Sequence, residues 1–363
     1  MRKHYLFNIL SLAIALILSG SVAEANLQLK DFRVYAKENI EARASDYQGI
    51  VGAGRVIKLD HFAVVRARKQ QALPAPYSNF NVYAGESVRF MSGGGVCTVD
   101  GFTDSGVALC DLPQGCQCRS SEGNLAWAGI ASPRVAVAQH QVLWSQRISQ
   151  QSLVNHRALS GEMDRLAAQL DLLPGVPHGE SIFPAGRNCW NVFDVQADHF
   201  RLMDNLRFVG APGQNFVIRV HGDVINFRRK GITQFGGVEP SRIIYYFPEA
   251  RTLNIAFSGA PNEAFGYPVG IPGTVLAPNA NVSFHEALIT GGIYARNIDS
   301  SGRESIQPPN RQLQQQQQQQ QGPIRLLNGG QVNFAELELC ALPNPGQQQQ
   351  QQQQQRPRAT ILN

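Results

Sequence analysis

Ile271 to Ile298 reads IPGTVLAPNANVSFHEALITGGIYARNI. Three short apolar runs stand out: Thr274-Val275-Leu276-Ala277, Val282-Ser283-Phe284 and Gly291-Gly292-Ile293-Tyr294-Ala295. Pro, Gly and Asn separate them, so strand-length segments return about every eight to ten positions with turn residues between. No catalytic constellation lies in this stretch. It reads as architecture, with Pro278-Asn279 at a corner and Ala277 and Ala295 where neighbouring strands stack closely. It is expected to form the last regular coils of the body.

Working outward, one pattern recurs: an apolar residue, any residue, then Ala, a few turn or charged residues, and an apolar residue. It appears as Val34-Tyr35-Ala36 before Ile40, as Val82-Tyr83-Ala84 before Val88, and as Ile293-Tyr294-Ala295 before Ile298. Val51-Gly52-Ala53 before Val56 and Val275 to Val282 are variants. A solenoid gives this a cause. Each coil turns a β-branched residue inward and places a small residue at the stacking point, and one coil cannot bury its inner face alone. Further strands are predicted at Asn191–Val195, Phe216–Gly222, Ile243–Pro248 and Leu253–Phe257. Gly49-x-x-Gly52-x-Gly54 matches neither a dinucleotide fingerprint nor a P-loop and reads as turns between strands. From Arg147 to Leu173 the period changes: Leu159, Met163, Leu166, Leu170 and Leu173 mark one helical face, which Pro174-Gly175 ends. The fold class is therefore mainly β: a β-solenoid (parallel β-helix-like) body with one flanking amphipathic helix.

The ends differ from the body. Residues 1–25 have a basic start, an apolar run from Leu6 to Leu18 and Ala23-Glu24-Ala25, the pattern of a secretory signal peptide, with cleavage expected between Ala25 and Asn26. The apolar run is shorter than the ~20 residues a membrane span needs, and no Cys follows it to carry a lipid. A secreted, periplasmic or cell-surface protein is expected, with no integral membrane segment after cleavage. The body is read as 26–300. Gln-rich residues 301–322 are expected to be a disordered insert, 323–341 to hold a closing strand, and 342–363 to be a second disordered Gln-rich tail. The tail carries no sorting motif, apolar helix or basic segment, so no C-terminal anchor is recognised.

The formal charge is +5, and losing Arg2, Lys3 and Glu24 with the leader leaves +4. There is no basic block, so no nucleic-acid partner is expected. Six cysteines suit an oxidising compartment. Cys97, Cys110, Cys116 and Cys118 cluster in a loop read over 92–123, with three possible pairings. Zinc is the alternative, although Cys116-x-Cys118 is tighter than usual ligand spacing. Cys189 and Cys340 are candidates to tie the middle of the chain to its end.

Catalytic motifs were sought and none was found: no HExxH, GxSxG or Walker sequence occurs. His61, His140, His156, His178, His199, His221 and His285 show no ligand spacing and read as surface or packed residues. Asp194, Asp198, Asp204 and Asp223 share no period that would bring them onto one face. No catalytic residue, cofactor or metal is expected. Asn281-Val282-Ser283 is a weak glycosylation match.

Several blocks resemble the choice-of-anchor A domain, an adhesive domain of exported bacterial proteins. Phe32-Arg33-Val34-Tyr35 with Gly49–Gly54 is similar to its opening strand and glycine segment. Asn191-Val192-Phe193, Val217–Gly222, Tyr246-Phe247-Pro248-Glu249-Ala250 and Gly273–Ala280 are similar to later blocks, the last most specifically. Tyr246 stands where the family has Asn. The Cys cluster and Gln runs look like additions. The resemblance spans about 27–337. It implies a solenoid related to ice-binding-like architectures, although this chain lacks their arrays of Thr. It also implies a non-catalytic adhesin whose partner is a surface glycan or matrix protein. The rivals are a carbohydrate-active enzyme on the same scaffold, which clustered carboxylates in a groove would favour, and a structural component of a matrix or envelope.

Overall fold

The computed structural model describes residues 27–67, 80–90, 94–99, 124–127, 154–186, 188–203, 205–227, 231–256, 269–285, 287–301, 331–333, 335 and 337–342. The leader with Ala25 and Asn26, Cys110, Cys116, Cys118 and both Gln runs lie outside them. Every strand pairing is parallel, as a coiled chain requires. The strands build a solenoid with three faces.

On the first face the repeat read from the sequence becomes a set of ladders. Val82, Val51, Val34, Ile293 and Val275 stand in register, and so do Ala84, Ala53, Ala36, Ala295 and Ala277. Both ladders point inward, and their members are buried. The residue between them points outward: Tyr83, Gly52, Tyr35, Tyr294 and Leu276. Gly52 is thus a strand residue, not a turn. A Cβ there would lie 2.5 Å from the Phe32 ring and 2.9 Å from Tyr35, so glycine makes room for the neighbouring aromatics. Gly273 does turn a corner, with φ of 126° and a virtual Cβ 2.7 Å from the Ile243 carbonyl.

The stacking order is not the chain order. The strand Phe32–Ala36 pairs with Ile50–Ala53 on one side and with Ile293–Ser300 on the other. Ile293–Ser300 pairs in turn with Thr274–His285. The first coil therefore meets the latest full coil in the middle of the stack. The 271–298 stretch lies at the centre of the solenoid, not at its end as its position suggested. From there the N-terminal coils extend one way through Phe80–Ala84. Ile243–Tyr246, Asn215–His221 and Trp190–Gln196 extend the other way.

The helix α1 (His156–Asp171) runs along the outside of the first face. It buries Leu159, Met163, Ala167 and Leu170 against Tyr35, Tyr83, Tyr246, Leu276 and Tyr294. At 1.5 Å per residue it is about 24 Å long, or about five coils at 4.8 Å. It starts later than the sequence indicated, because Asn155 caps it: its side chain accepts the Ala158 N–H at 2.9 Å. One further expectation needs correction. Within the loop read over 92–123, Gly94–Val99 is a strand on the third face, beside the second half of Val56–Ala67. Within residues 323–341, Gln331–Asn333 forms a strand in register with Leu288–Thr290. Residues 337–342 run as a strap beside α1, where Leu337, Leu339 and Leu342 pack.

The Ala ladder carries one expected result. Ala277→Leu inserts three carbons where Ala295 is in register on the neighbouring coil, and both residues are fully buried. Overpacking of this kind destabilises by ~1–3 kcal/mol. An unchanged melting temperature would count against close stacking at this position.

Candidate functional site

Two features of the surface are built by the coils rather than by any local motif. The first is the second face, which follows each first-face strand around a corner. Its inward ladder is Ile57, Ile40, Ile298, Val282, Leu253 and Ile225. Because strand side chains alternate, the intervening residues face outward and form a polar row across six coils: Lys58, Glu41, Asp299, Ser283, Asn254, Asn226. Beside it Asn39, Asn297 and Asn281 make an amide ladder. Asn39 Nδ2 donates to Asn297 Oδ1 at 3.0 Å, and Asn297 Nδ2 donates to Asn281 Oδ1 at 2.9 Å. Asn254 Nδ2 donates to Asn226 Oδ1 at 2.9 Å. These bonds link side chains of successive coils. α1 and the strap lie on the first face, and the short helix Ala197–Leu202 abuts the last second-face strand, Val224–Phe227.

The corner between the first two faces is charged with alternating sign, one residue per coil: Glu86, Arg55, Glu38, Arg296. Arg55 Nε lies 2.7 Å from Glu86, and Arg296 Nε lies 2.8 Å from Glu38. The Arg296 hydrogen bond holds the Glu38 carboxyl below the usual carboxylate range.

Further along this corner lies the second feature, an open groove of about 700 Å³. Pro177, His178, Gly179, Asp194, Gln196, His199, His221 and Glu249 line it. Strand pairing brings the central residues together: Asp194 is in register with Arg219, and Gln196 with His221. Glu249 comes from the turn after Ile243–Tyr246, and His199 from the short helix α2 (Ala197–Leu202). Arg219 Nε and Nη2 donate to the two Asp194 oxygens at 2.5 and 2.9 Å. Its Nη1 donates to the carbonyls of Leu170, Asp171 and Leu173 at the end of α1, at 3.2–3.3 Å. Gly175 leaves room for this pair, since a Cβ there would lie 2.1 Å from Asp194 Oδ2 and 2.3 Å from Arg219 Nη2. His221 bridges the carboxylates, with Nε2 3.0 Å from Asp194 Oδ1 and Nδ1 3.0 Å from Glu249 Oε1. His178 packs on Phe183 and Phe193, with ring centroids 4.6 and 5.0 Å away.

This groove holds two carboxylates, Asp194 and Glu249, as the enzyme alternative called for. Glycoside hydrolysis needs one carboxyl kept protonated to act as the acid. Hydrogen bonds from Arg219 hold Asp194 below its ordinary value instead, so it stays ionised. Among the described residues that line the groove there is no Ser, Thr or Cys. Among the described residues no group of three or more His, Cys, Asp or Glu has metal-binding geometry.

The four aspartates weighed from the sequence separate. Asp194 enters the groove. Asp223 pairs with Arg251 at 2.5 Å. Asp198 lies in α2 and does not line the groove, and Asp204 is outside the described residues. His285 is buried in the body; His156, at the start of α1, stacks on Tyr35, and burial pushes its imidazole down to about 4. His140 lies outside the described residues. The sequence reading missed the partnership of Asp194, His221 and Glu249. Its one signal was the shared coil position: Asp194 and Arg219 occupy the same place in successive first-face strands.

A disulfide joins Cys189 and Cys340, 151 residues apart. The strap around it is further held by Trp190 Nε1 donating to the Ala341 carbonyl at 3.0 Å, and by Asn215 Nδ2 donating to the Glu338 carbonyl at 2.6 Å. Arg242 Nη2 also lies 2.5 Å from Glu338. Cys97 lies in the strand Gly94–Val99.

Comparison with known proteins gives two results. The family profile described as "Putative Ice-binding-like adhesive domain" matches residues 26–306. Three solved structures are similar. An ice-binding protein from an Arctic yeast has 10% identity and a TM-score of 0.35, over 87% of this chain and 94% of that one. One from the Antarctic ascomycete Antarctomyces psychrotrophicus has 9% identity and a TM-score of 0.31, over 76% and 96%. An ice-binding protein domain of Shewanella frigidimarina has 10% identity and a TM-score of 0.33, over 75% and 92%. No curated protein matches this chain.

Proposed function

The chain belongs to the ice-binding-like adhesive domain family, and from that premise we propose that it is an exported, non-catalytic adhesive protein whose second face binds a surface glycan or matrix protein. The observation that carries this reading is the row Lys58, Glu41, Asp299, Ser283, Asn254, Asn226. It presents donors and acceptors repeated at each coil, with Lys58 bonded to Glu41 and Asn254 to Asn226. A repeating polymer can match such a row with little ordering of the protein on binding, which is where preorganised surfaces gain affinity. Export rests on the leader pattern, and the mature chain is expected to begin at Asn26. The adhesive reading is compatible with the choice-of-anchor resemblance.

The lower end of the solenoid bears on the assembly alternative. Its last strands are short, Val176–Pro177 and Ile182–Pro184. Proline has no N–H to donate, so these edges are poor templates for another strand. That favours a free-standing binding module over end-to-end stacking.

The test is a glycan and matrix-protein array probed with the mature protein and with Asn254→Trp, which raises a bulky ring within the row. At least a tenfold loss of affinity, about 1.4 kcal/mol, is expected for the variant. Arg165→Glu, on the solvent side of α1, is expected to bind as the unaltered protein does. Equal binding by both variants would move the site away from the second face. Cleaved products in the array eluate would favour the enzyme reading.

A further inference from the structure

His221 has a carboxylate on each ring nitrogen, Asp194 at 3.0 Å and Glu249 at 3.0 Å. An ionised carboxylate only accepts hydrogen bonds. Both contacts are hydrogen bonds only when both ring nitrogens carry protons, which is the imidazolium. A neutral imidazole keeps one and turns a bare lone pair toward the other carboxylate. We propose that His221 is a protonation-operated clasp: charged, it ties the turn carrying Glu249 to the strand Trp190–Gln196 across the groove, and neutral, it releases Glu249.

The surroundings decide which contact is lost. Arg219, two residues earlier on the same strand, already holds Asp194 through both oxygens from behind. Glu249 is the more exposed partner, at 59% against 23% for Asp194, and water can replace its bond. Its other oxygen accepts the Gly222 N–H at 3.2 Å, which also ties that carboxylate to this corner. The remaining titratable groups on the groove wall are His178 and His199. The nearby Asp223 and Arg251 satisfy each other. Loss of the proton therefore leaves the groove with an uncompensated negative charge at its mouth.

Burial draws the His221 imidazole down, but hydrogen bonds to Glu249 and Asp194 more than offset this and leave it raised. A raised value means that the clasp is complete below the ordinary histidine range and is lost as pH rises through the folded value. On the adhesive reading, on which this sentence alone rests, any ligand contact at the groove would change over the same interval.

The test is solution NMR of the mature chain, following the His221 ring nitrogens and the Gly222 amide from about pH 5 to about pH 9, a range that brackets histidine titration. The expected result is an imidazolium at the acid end and a Gly222 amide shift with the same midpoint as the ring. Glu249→Gln is expected to move the ring midpoint downward. A neutral ring throughout, or a Gly222 amide that does not follow it, overturns the clasp, and so does an unmoved midpoint in the variant. The first two readouts need only the unaltered protein. No ligand is present, so failure here leaves the adhesive reading standing, and a blank binding array leaves the clasp standing.

Discussion

Arg219→Ala is expected to destabilise the lower half of the solenoid by about 3–5 kcal/mol, the usual range when one partner of a buried ion pair is removed. The side chain is only 8% exposed. Its guanidinium satisfies five contacts at once, two to Asp194 and three to carbonyls at the end of α1. Alanine removes a donor from each of those carbonyls, although Leu170 keeps the Leu173 N–H at 3.2 Å, and leaves Asp194 beside His221 alone. Lysine is a poor substitute, since a single ammonium cannot match the planar fork. Arg219→Met with Asp194→Asn should be less damaging than the two single losses combined, because no unpaired charge remains. The effect should be greatest near neutral pH. Asp194 has a lowered folded value, so the stability it contributes is complete above the ordinary carboxylate range and fades as pH falls through the folded value. Denaturant unfolding with amide exchange across α1 measures this. A loss under about 1 kcal/mol, within the span of ordinary surface pairs, would show that Arg219 does not clamp the helix.

Replacing both Cys189 and Cys340 with serine should have the next largest effect. The bond closes a loop of 151 residues, for which chain-entropy reasoning gives an upper figure of about 5 kcal/mol. The observed loss should fall within about 2–5 kcal/mol, because native disulfides commonly deliver less than the limit. Here the strap also keeps its bonds to Asn215, Arg242 and Trp190 after the cysteines are gone. Thermal unfolding of the double variant without reductant isolates this bridge from the cysteines at 97–118. The first loss of exchange protection should appear at Trp190 and Leu337–Leu342, since local release precedes global unfolding. A melting temperature equal to that of the unaltered protein would mean that the non-covalent contacts suffice.

The coil repeat was legible in the sequence because its cause is local. A strand alternates its side chains, and a coil needs one inward β-branched residue and one small one, so Val34-Tyr35-Ala36 and Ile293-Tyr294-Ala295 bear the same mark although they are far apart. The buried face of α1 was legible for the same reason, through steps of three and four from Leu159 to Leu173. The start of α1 was not, because a single Asn155 side chain sets it. Gly52 was misread as a turn because its purpose, space for Phe32 and Tyr35, belongs to neighbouring positions on two coils.

What the tertiary structure alone decided is which coil lies beside which. Parallel pairing satisfies the same backbone groups whatever the order of the coils, so nothing local marks the 271–298 segment as central. Its neighbours, Phe32–Ala36 and Ile243–Tyr246, come from the start of the chain and from just before the segment. The groove follows from that stacking. Asp194, Arg219, His221 and Glu249 meet because successive first-face strands align, while the loops between them differ in length and erase any fixed spacing. Composition, export pattern and coil chemistry were properties of the sequence; the bridge through His221 exists only once the coils have stacked.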